Sequence, residues 1–316
     1  ASSCLMGREI REGLSGEIAR IYHSLDGGLT PLSTLWPSAP TQKHRERDEA
    51  REEMVAIFSK IIAARRSGAV REDDFLQKII DFRYADTKDK ATGKVTKAGR
   101  GFTDSEVTGW LIVLLFAGQH TSSITSTWTG LLSIANKERI FPKLEKEQKD
   151  VMAKHGDKID FDILAQMDEL HFCIKEALRM HPPLIMLLRQ CNVPFEVETT
   201  KGKKFVVPKG HIVATSPAFA HRMDEVYSEP NVYKPERFKG ESPEDKRAYA
   251  SFIGFGSGRH GCMGETFAYM QIKTIWSHLL RNFDFELVGK LPEPDYEGMV
   301  VGPKHPCTVR YKRRKL

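Results

Sequence analysis

Cysteine pairs, long apolar runs and charge of one sign are what this 316-residue chain has little of. Its five cysteines, Cys4, Cys173, Cys191, Cys262 and Cys307, are odd in number, widely scattered and never in a C-x-x-C pair. That argues against a disulfide framework or a structural zinc site and for a reducing compartment. The longest uninterrupted apolar stretch, Trp110 to Ala117, falls far short of the ~20 residues that span a bilayer. No charged segment followed by an apolar one opens the chain, so no signal peptide is visible. Its first residue is Ala1, and Arg8–Tyr22 reads as an amphipathic helix through Ile10, Leu14, Ile18 and Ile21, the pattern of a chain that starts mid-fold. The net charge of +6 is modest, with bases and acids interleaved as in Lys43–Arg51. These read as solvated helix faces, with a docking surface for an acidic partner as the lesser alternative. No basic stripe alternates with aromatics, so nucleic acid is a poor fit as a partner.

What is present suits a globular body: 40% hydrophobic and 28% charged residues. The first half is helix-rich. Lys43–Arg66 is charged with an apolar stripe through Met54, Ile57, Phe58, Ile61 and Ile62. Before it, Asp26–Pro40 is a loop carrying Leu29, Leu32, Leu35 and Trp36, which either packs on the body or dips into a membrane surface. A helix is expected over Asp73–Tyr84, then a surface loop over Ala85–Gly101 with almost nothing to bury. Thr103 and Glu106 have capping-box spacing and open a long helix that runs without proline to about Ala135. Glu169–Met180 forms another helix, stopped by Pro182-Pro183. The texture then changes to short β-like runs, Phe195–Val197, Lys204–Val207 and Ile212–Thr215, separated by Gly and Pro. A last helix, Glu265–Leu280, precedes a strand-and-turn tail to Arg310. Helices followed by small sheets imply a mainly α, α+β fold.

The segment richest in chemistry is Phe252-Ile-Gly-Phe-Gly-Ser-Gly-Arg-His-Gly-Cys-Met-Gly-Glu265, a glycine-dense loop running into that last helix. Cys262 therefore sits just before a helix N-terminus, where free N–H groups and the helix dipole favour a thiolate. Gly256, Gly258, Gly261 and Gly264 remove side chains around it, so backbone can approach a flat ligand closely and donate to the sulfur. Two other readings compete. A lone cysteine is most often a small buried hydrophobe. Gly256-Ser-Gly-Arg-His-Gly261 also matches the G-x-G-x-x-G dinucleotide fingerprint, but that needs a second strand with an acid about 20 residues on, where this sequence is helical.

Phe255-x-x-Gly258-x-x-x-Cys262-x-Gly264 resembles the haem-binding signature of the cytochromes P450. Three further marks precede it in that family's order. Ala117-Gly-Gln-His-Thr-Ser122 resembles the oxygen-binding turn of the central helix, Glu176-Ala-Leu-Arg179 the E-x-x-R helix, and Pro235-Glu-Arg-Phe238 the P-E-R-F segment. Each is weak alone, and four in order are specific. The resemblance implies a cytochrome P450 fold, a single domain over residues 1–316 with a long central helix over a haem. Haem b would be carried on Cys262 as the iron ligand, with Phe255, Gly256 and Gly264 around it and His260 and Arg189 at positions that hold the propionates. It makes Glu176, Arg179 and Arg237 a buried structural network behind the cysteine loop. Thr121 would relay protons to dioxygen. Where most members place an acid just before this threonine, this chain has His120, and histidine as a residue type can serve the same shuttle.

That His120 narrows the resemblance. Gln-His-Thr-Ser, Phe267-Ala-Tyr-Met-Gln-Ile-Lys-Thr-Ile-Trp276 and Met299-Val-Val resemble the sterol 14α-demethylase branch, and Ala1-Ser-Ser-Cys-Leu-Met-Gly-Arg-Glu-Ile10 resembles an internal helix of it. The chain is thus expected to correspond to such an enzyme without roughly its first third. Val113, Ala117, Leu184, Ile185, Met186, Leu187 and Met299 match positions lining the sterol cavity, although apolar residues there would equally suit plain core. The implied reaction removes a sterol's 14α-methyl group by three oxygenations. It uses dioxygen and NADPH electrons delivered by a reductase, at the cytosolic face of the endoplasmic reticulum membrane. Two alternatives stay open: a haem-thiolate isomerase or dehydratase that does not activate oxygen, and a non-catalytic remnant.

Overall fold

The computed structural model describes residues 9, 15–28, 33, 36–88, 95–297 and 299–314. Cys4, the start of the expected Arg8–Tyr22 helix and the loop leucines Leu29, Leu32 and Leu35 lie outside the described residues, while Trp36 is exposed. The chain divides into two compact units, Ala1–His120 and Thr121–Leu316.

In the first unit α1 (Ser15–Gly27) packs against α2 (Gln42–Arg66). The periodic apolar residues Ile18, Ile21, Tyr22 and Leu25 meet Met54, Phe58 and Ile62, and α3 (Phe75–Asp81) adds Leu76, Ile79 and Ile80. Fully burying each such side chain is worth about 1.5–3 kcal/mol, so this stripe decides which face of each helix turns inward. Thr41 caps α2, accepting from the His44 N–H at 3.3 Å. The expected helix over Asp73–Tyr84 is shorter at both ends. Asp74 caps α3 by accepting from the Gln77 N–H, and Phe82 leaves helical geometry (φ −62°, ψ 139°). Tyr84 N–H then donates to the Arg100 carbonyl at 2.9 Å. The expected structureless loop over Ala85–Gly101 likewise contains a small antiparallel pair, β1 (Thr87–Lys88) and β2 (Val95–Lys97). Backbone pairing supplied what composition did not show.

The long helix is α4, Asp104–Ala135. Its capping box is formed: Thr103 N–H donates to Glu106 Oε2 at 2.8 Å and Glu106 N–H to Thr103 Oγ1 at 3.3 Å. The helix is continuous through Gly118–Thr121. Its unbroken apolar run is short, yet the helix as a whole is long and apolar enough to cross a membrane by length and composition, a property that run length alone misses.

The second unit gathers the C-terminal half of α4 with α5 (Lys137–His155), α6 (Phe161–Ala165), α7 (Asp168–Met180) and α9 (Glu265–Asn282). Its core runs through Trp128, Leu132, Phe141, Leu144, Ile174, Ala177, Ile272 and Leu280. Gly130 of α4 faces the Trp276 ring of α9 so closely that a Cβ would lie 2.1 Å from its Cζ2, and the indole N–H donates to the Ser126 carbonyl at 3.0 Å. This fixes α9, whose N-terminus follows the cysteine loop. The N-terminus of α7 has no cap of its own. Glu147 of α5 supplies one, accepting the N–H groups of Glu169 (2.5 Å) and Leu170 (3.2 Å), while burial pushes its carboxyl up to about 7.

The sheets are small antiparallel pairs, as the change of texture after Pro183 implies. β3 (Leu187–Gln190) pairs with β6 (Ile212–Thr215), β4 (Phe195–Glu198) with β5 (Lys204–Val207), β7 (Phe283–Val288) with β10 (Thr308–Arg313), and β8 (Pro294–Asp295) with β9 (Gly302–Pro303). The four-residue helix α8 (Pro217–Ala220) follows β6. The architecture is the expected mainly α, α+β one.

Candidate functional site

Cys262 is exposed, whereas Cys173 and Cys191 are buried and Cys307 is half-buried. Burial pushes the Cys173 thiol up to about 12, which makes it inert packing. The bland reading of a cysteine as a small core residue therefore fits Cys173 and fails for Cys262. The Cys262 N–H donates to the Phe255 carbonyl at 2.8 Å, which closes the loop on itself. Gly256 (φ +74°) and Gly258 (φ +63°) occupy the left-handed region, and a Cβ on Gly256 would lie 3.3 Å from the His260 carbonyl oxygen. Gly264, the residue before α9, would bring its Cβ 3.7 Å from Cys262 Sγ. An exposed thiol is thus presented on a loop stripped of side chains. Phe255 anchors the loop to the core, 5.3 Å from the Tyr269 ring, while His260 is exposed at the end of the 3-10 turn Gly258–His260.

Behind the loop the three charged residues singled out by motif come together. Arg179 donates from Nε and Nη2 to the two oxygens of Glu176, at 2.7 and 2.9 Å, and Arg237 Nε donates to Glu176 Oε1 at 3.0 Å. All three side chains are fully buried. The Lys234 N–H also donates to Glu176 at 2.9 Å, and Arg237 reaches Glu244 and the Ser228 carbonyl. Such a bidentate, fully shared carboxylate is the geometry in which a buried ion pair holds a fold in register.

One residue in this network was not legible in the sequence. His221 Nδ1 lies 3.1 Å from the Arg179 carbonyl, and its Nε2 accepts the Ile253 N–H at 2.9 Å. With Nδ1–H donating and Nε2 accepting, the ring is neutral, and it ties the E-x-x-R helix to the start of the cysteine loop. Its ring stacks on Phe252 at 5.0 Å and 8°. No motif marks a single histidine after Pro217-Ala-Phe-Ala.

Burial holds His221 and His171 down at about 4 and His181 at about 3, with nearby arginines or lysines adding to it. These folded-state values lie below the free value of 6.5, so the unfolded chain binds more protons between them. The stabilisation they give is complete above 6.5 and is lost as pH falls towards 4. Glu147, raised from 4.5, acts the other way over part of that window, but it is one group against three. The melting temperature, followed by circular dichroism, is therefore expected to fall steadily from about pH 7 to about pH 5. A flat or rising profile would contradict the buried neutral histidines.

On α4, Val113 and Ala117 are exposed and His120 is half-buried. His120 Nε2 lies 3.1 Å from Asp26 Oδ1, and its ring centroid is 5.7 Å from that of Tyr22. Asp26 precedes His120 by 94 residues, so no spacing signal links them. The Thr121 carbonyl accepts from Thr125 Oγ1 at 2.8 Å.

In the second unit Leu184 and Met186 are exposed, Ile185 and Leu187 are half-buried and Met299 is exposed. Their segments adjoin, since the Val301 N–H donates to the Pro183 carbonyl at 2.8 Å. Arg189 on β3 is exposed and donates to its neighbour's carbonyl. None of the five apolar residues is fully buried.

A family profile described as "Cytochrome P450" matches residues 13–310. An "Obtusifoliol 14-alpha demethylase" of Triticum aestivum is 55% identical over 317 residues, covering 100% of this chain and 67% of that protein. A "Lanosterol 14-alpha demethylase" of Homo sapiens is 39% identical, covering 99% of this chain and 58% of that protein. The chain thus spans 58% to 67% of the length of these curated relatives. Among solved structures, "Retinoic acid bound cyanobacterial CYP120A1" superposes with a TM-score of 0.81 at 22% identity, over 99% of this chain and 66% of that chain. At that identity the likeness speaks for the fold alone.

Proposed function

This chain belongs to the cytochrome P450 family, and from that premise we propose that the protein is a haem-thiolate monooxygenase acting as a sterol 14α-demethylase. The observation that carries the reading is the exposed Cys262 thiol on a glycine loop, backed by the fully buried Glu176–Arg179–Arg237 network. Family membership implies haem, and the residues present fit it: a soft sulfur ligand, no side chain on Gly256, Gly258, Gly261 or Gly264, and Phe255 packed beneath. When bound, haem supplies dioxygen binding and the oxidising power that the protein fold lacks. The chain's own residues do the rest. Cys262 is the iron ligand, and His260 and Arg189 are the cations for the propionates. Glu176, Arg179, Arg237 and His221 hold the cysteine loop without touching substrate.

Thr121 and His120 handle protons. Asp26 holds His120 at Nε2, so the ring exchanges a proton on that atom with a carboxylate that is itself 38% exposed. That is a route from solvent into the helix, and an imidazole ring can both accept and pass on a proton. Val113, Ala117, Leu184 to Leu187 and Met299 would contact the sterol with apolar surface, which suits a substrate that is almost entirely hydrocarbon. Electrons would come from NADPH through a reductase, with the matched span as one catalytic domain at the cytosolic face of the endoplasmic reticulum membrane.

The test is turnover of 14α-methyl sterols by the complete protein with NADPH and a reductase. Oxygen consumption with release of formate is expected, and Asp26→Asn should lower kcat about tenfold with KM unchanged, because it disturbs proton delivery and not binding. Turnover that needs no oxygen, or no turnover of any 14α-methyl sterol, would sink the reading.

A further inference from the structure

Beside the glutamate network lies a second buried ion pair that no motif covers. Lys175, one residue before Glu176 on α7, donates from Nζ to Asp245 Oδ2 at 2.7 Å, with side chains only 16% and 4% exposed. The same ammonium sits 4.6 Å from the centroid of the Phe238 ring and 5.1 Å from that of Phe252. Those two rings stand edge to face at 6.0 Å and 77°. Phe238 ends the P-E-R-F turn and Phe252 opens the cysteine loop, so one cation touches helix, turn and loop together. A desolvated ammonium between two rings and a carboxylate is held far more firmly than an exposed pair.

Phe252 leads directly to the thiol. It is fixed on its other partner by the His221 stack, and the next N–H, of Ile253, goes to His221 Nε2. Gly254 then passes so close to α7 that a Cβ would lie 2.8 Å from Leu178 Cδ2. The following carbonyl, that of Phe255, accepts the Cys262 N–H. Asp245 is itself anchored, because the Ser251 hydroxyl donates to its carbonyl at 2.8 Å and Glu244 beside it is held by Arg237. The Glu176 network therefore fixes the turn, and Lys175 fixes where the loop leaves it.

We propose that Lys175, through Phe252 and Asp245, is a positioning residue for the Cys262 loop. The inference rests on the haem-thiolate reading above. Lys175→Met keeps most of the apolar stem and removes the ammonium, with its charge and its hydrogen bond to Asp245. In the haem-loaded protein it is expected to raise the ratio of thiol-type to thiolate-type carbon monoxide complex about tenfold and to shift the reduction potential. Lys175→Arg, which keeps a cation over the rings, should restore most of the thiolate-type band. Asp245→Asn carries the same test if Lys175→Met does not fold, and it should move the ratio in the same direction. A wild-type protein with no thiolate-type band overturns the haem reading itself. A wild-type band with Lys175→Met and Asp245→Asn indistinguishable from it, or variants that lose melting temperature with ratio and potential unmoved, overturns the positioning role alone.

Discussion

Cys262→Ser is expected to leave the protein folded and to abolish sterol turnover, with a loss of at least about a thousandfold. The two halves of that statement have separate causes. The side chain is exposed, and the hydrogen bond that closes its loop is made by the Cys262 backbone N–H, which serine keeps. A surface change of this size alters stability by about 0.5 kcal/mol or less. The chemistry changes completely, because an alcohol is a poor anion at neutral pH and gives iron no polarisable donor to assist oxygen–oxygen cleavage. Cys173→Ser is the matched control. It changes a buried core position outside the cysteine loop, so turnover in the folded fraction should stay. Retention of more than about a tenth of wild-type turnover by Cys262→Ser would remove the thiolate from the account.

Glu176→Gln is expected to cost about 3–5 kcal/mol, the range for removing one member of a buried pair. Arg237 would still have Glu244, but Arg179 would be left with the His221 carbonyl and no anion. A guanidinium that is fully buried cannot shed its proton, so the whole penalty of an unpaired charge falls on the folded state. The melting temperature should drop by roughly 5–8 °C, and haem retention should weaken because the cysteine loop loses its backing. The double variant Glu176→Gln, Arg179→Met should be more stable than the single one, since it removes the orphaned charge. A loss under about 1 kcal/mol in Glu176→Gln, as for a surface pair, would mean that the network is solvated in solution.

The parts of the site legible in the sequence were those set by local rules. A capping box placed the start of α4, glycines placed Cys262 on an exposed loop, and i, i+3 spacing put Glu176 and Arg179 on one face. What escaped was tertiary. Asp26 meets His120 across 94 residues, and Lys175 meets Asp245 across 70. His221 looks like any loop histidine until both ring nitrogens are seen to be occupied. Helix α5 was obscured locally by Asn136 before it and Pro142 within it, and contacts to α9 keep it: Gln148 accepts from Ser277 at 2.7 Å and Arg281 at 3.0 Å. Strand β6 was legible as Ile212–Thr215, but its partner β3 and the pair β1–β2 were not, since side-chain pattern signals strands of two to four residues poorly.

The most direct measurement is the carbon monoxide difference spectrum of the complete protein, loaded with haem and reduced by dithionite. The account predicts a thiolate-type band that vanishes in Cys262→Ser. A band of neutral-ligand type in the wild-type protein, or no haem uptake at all, would contradict it.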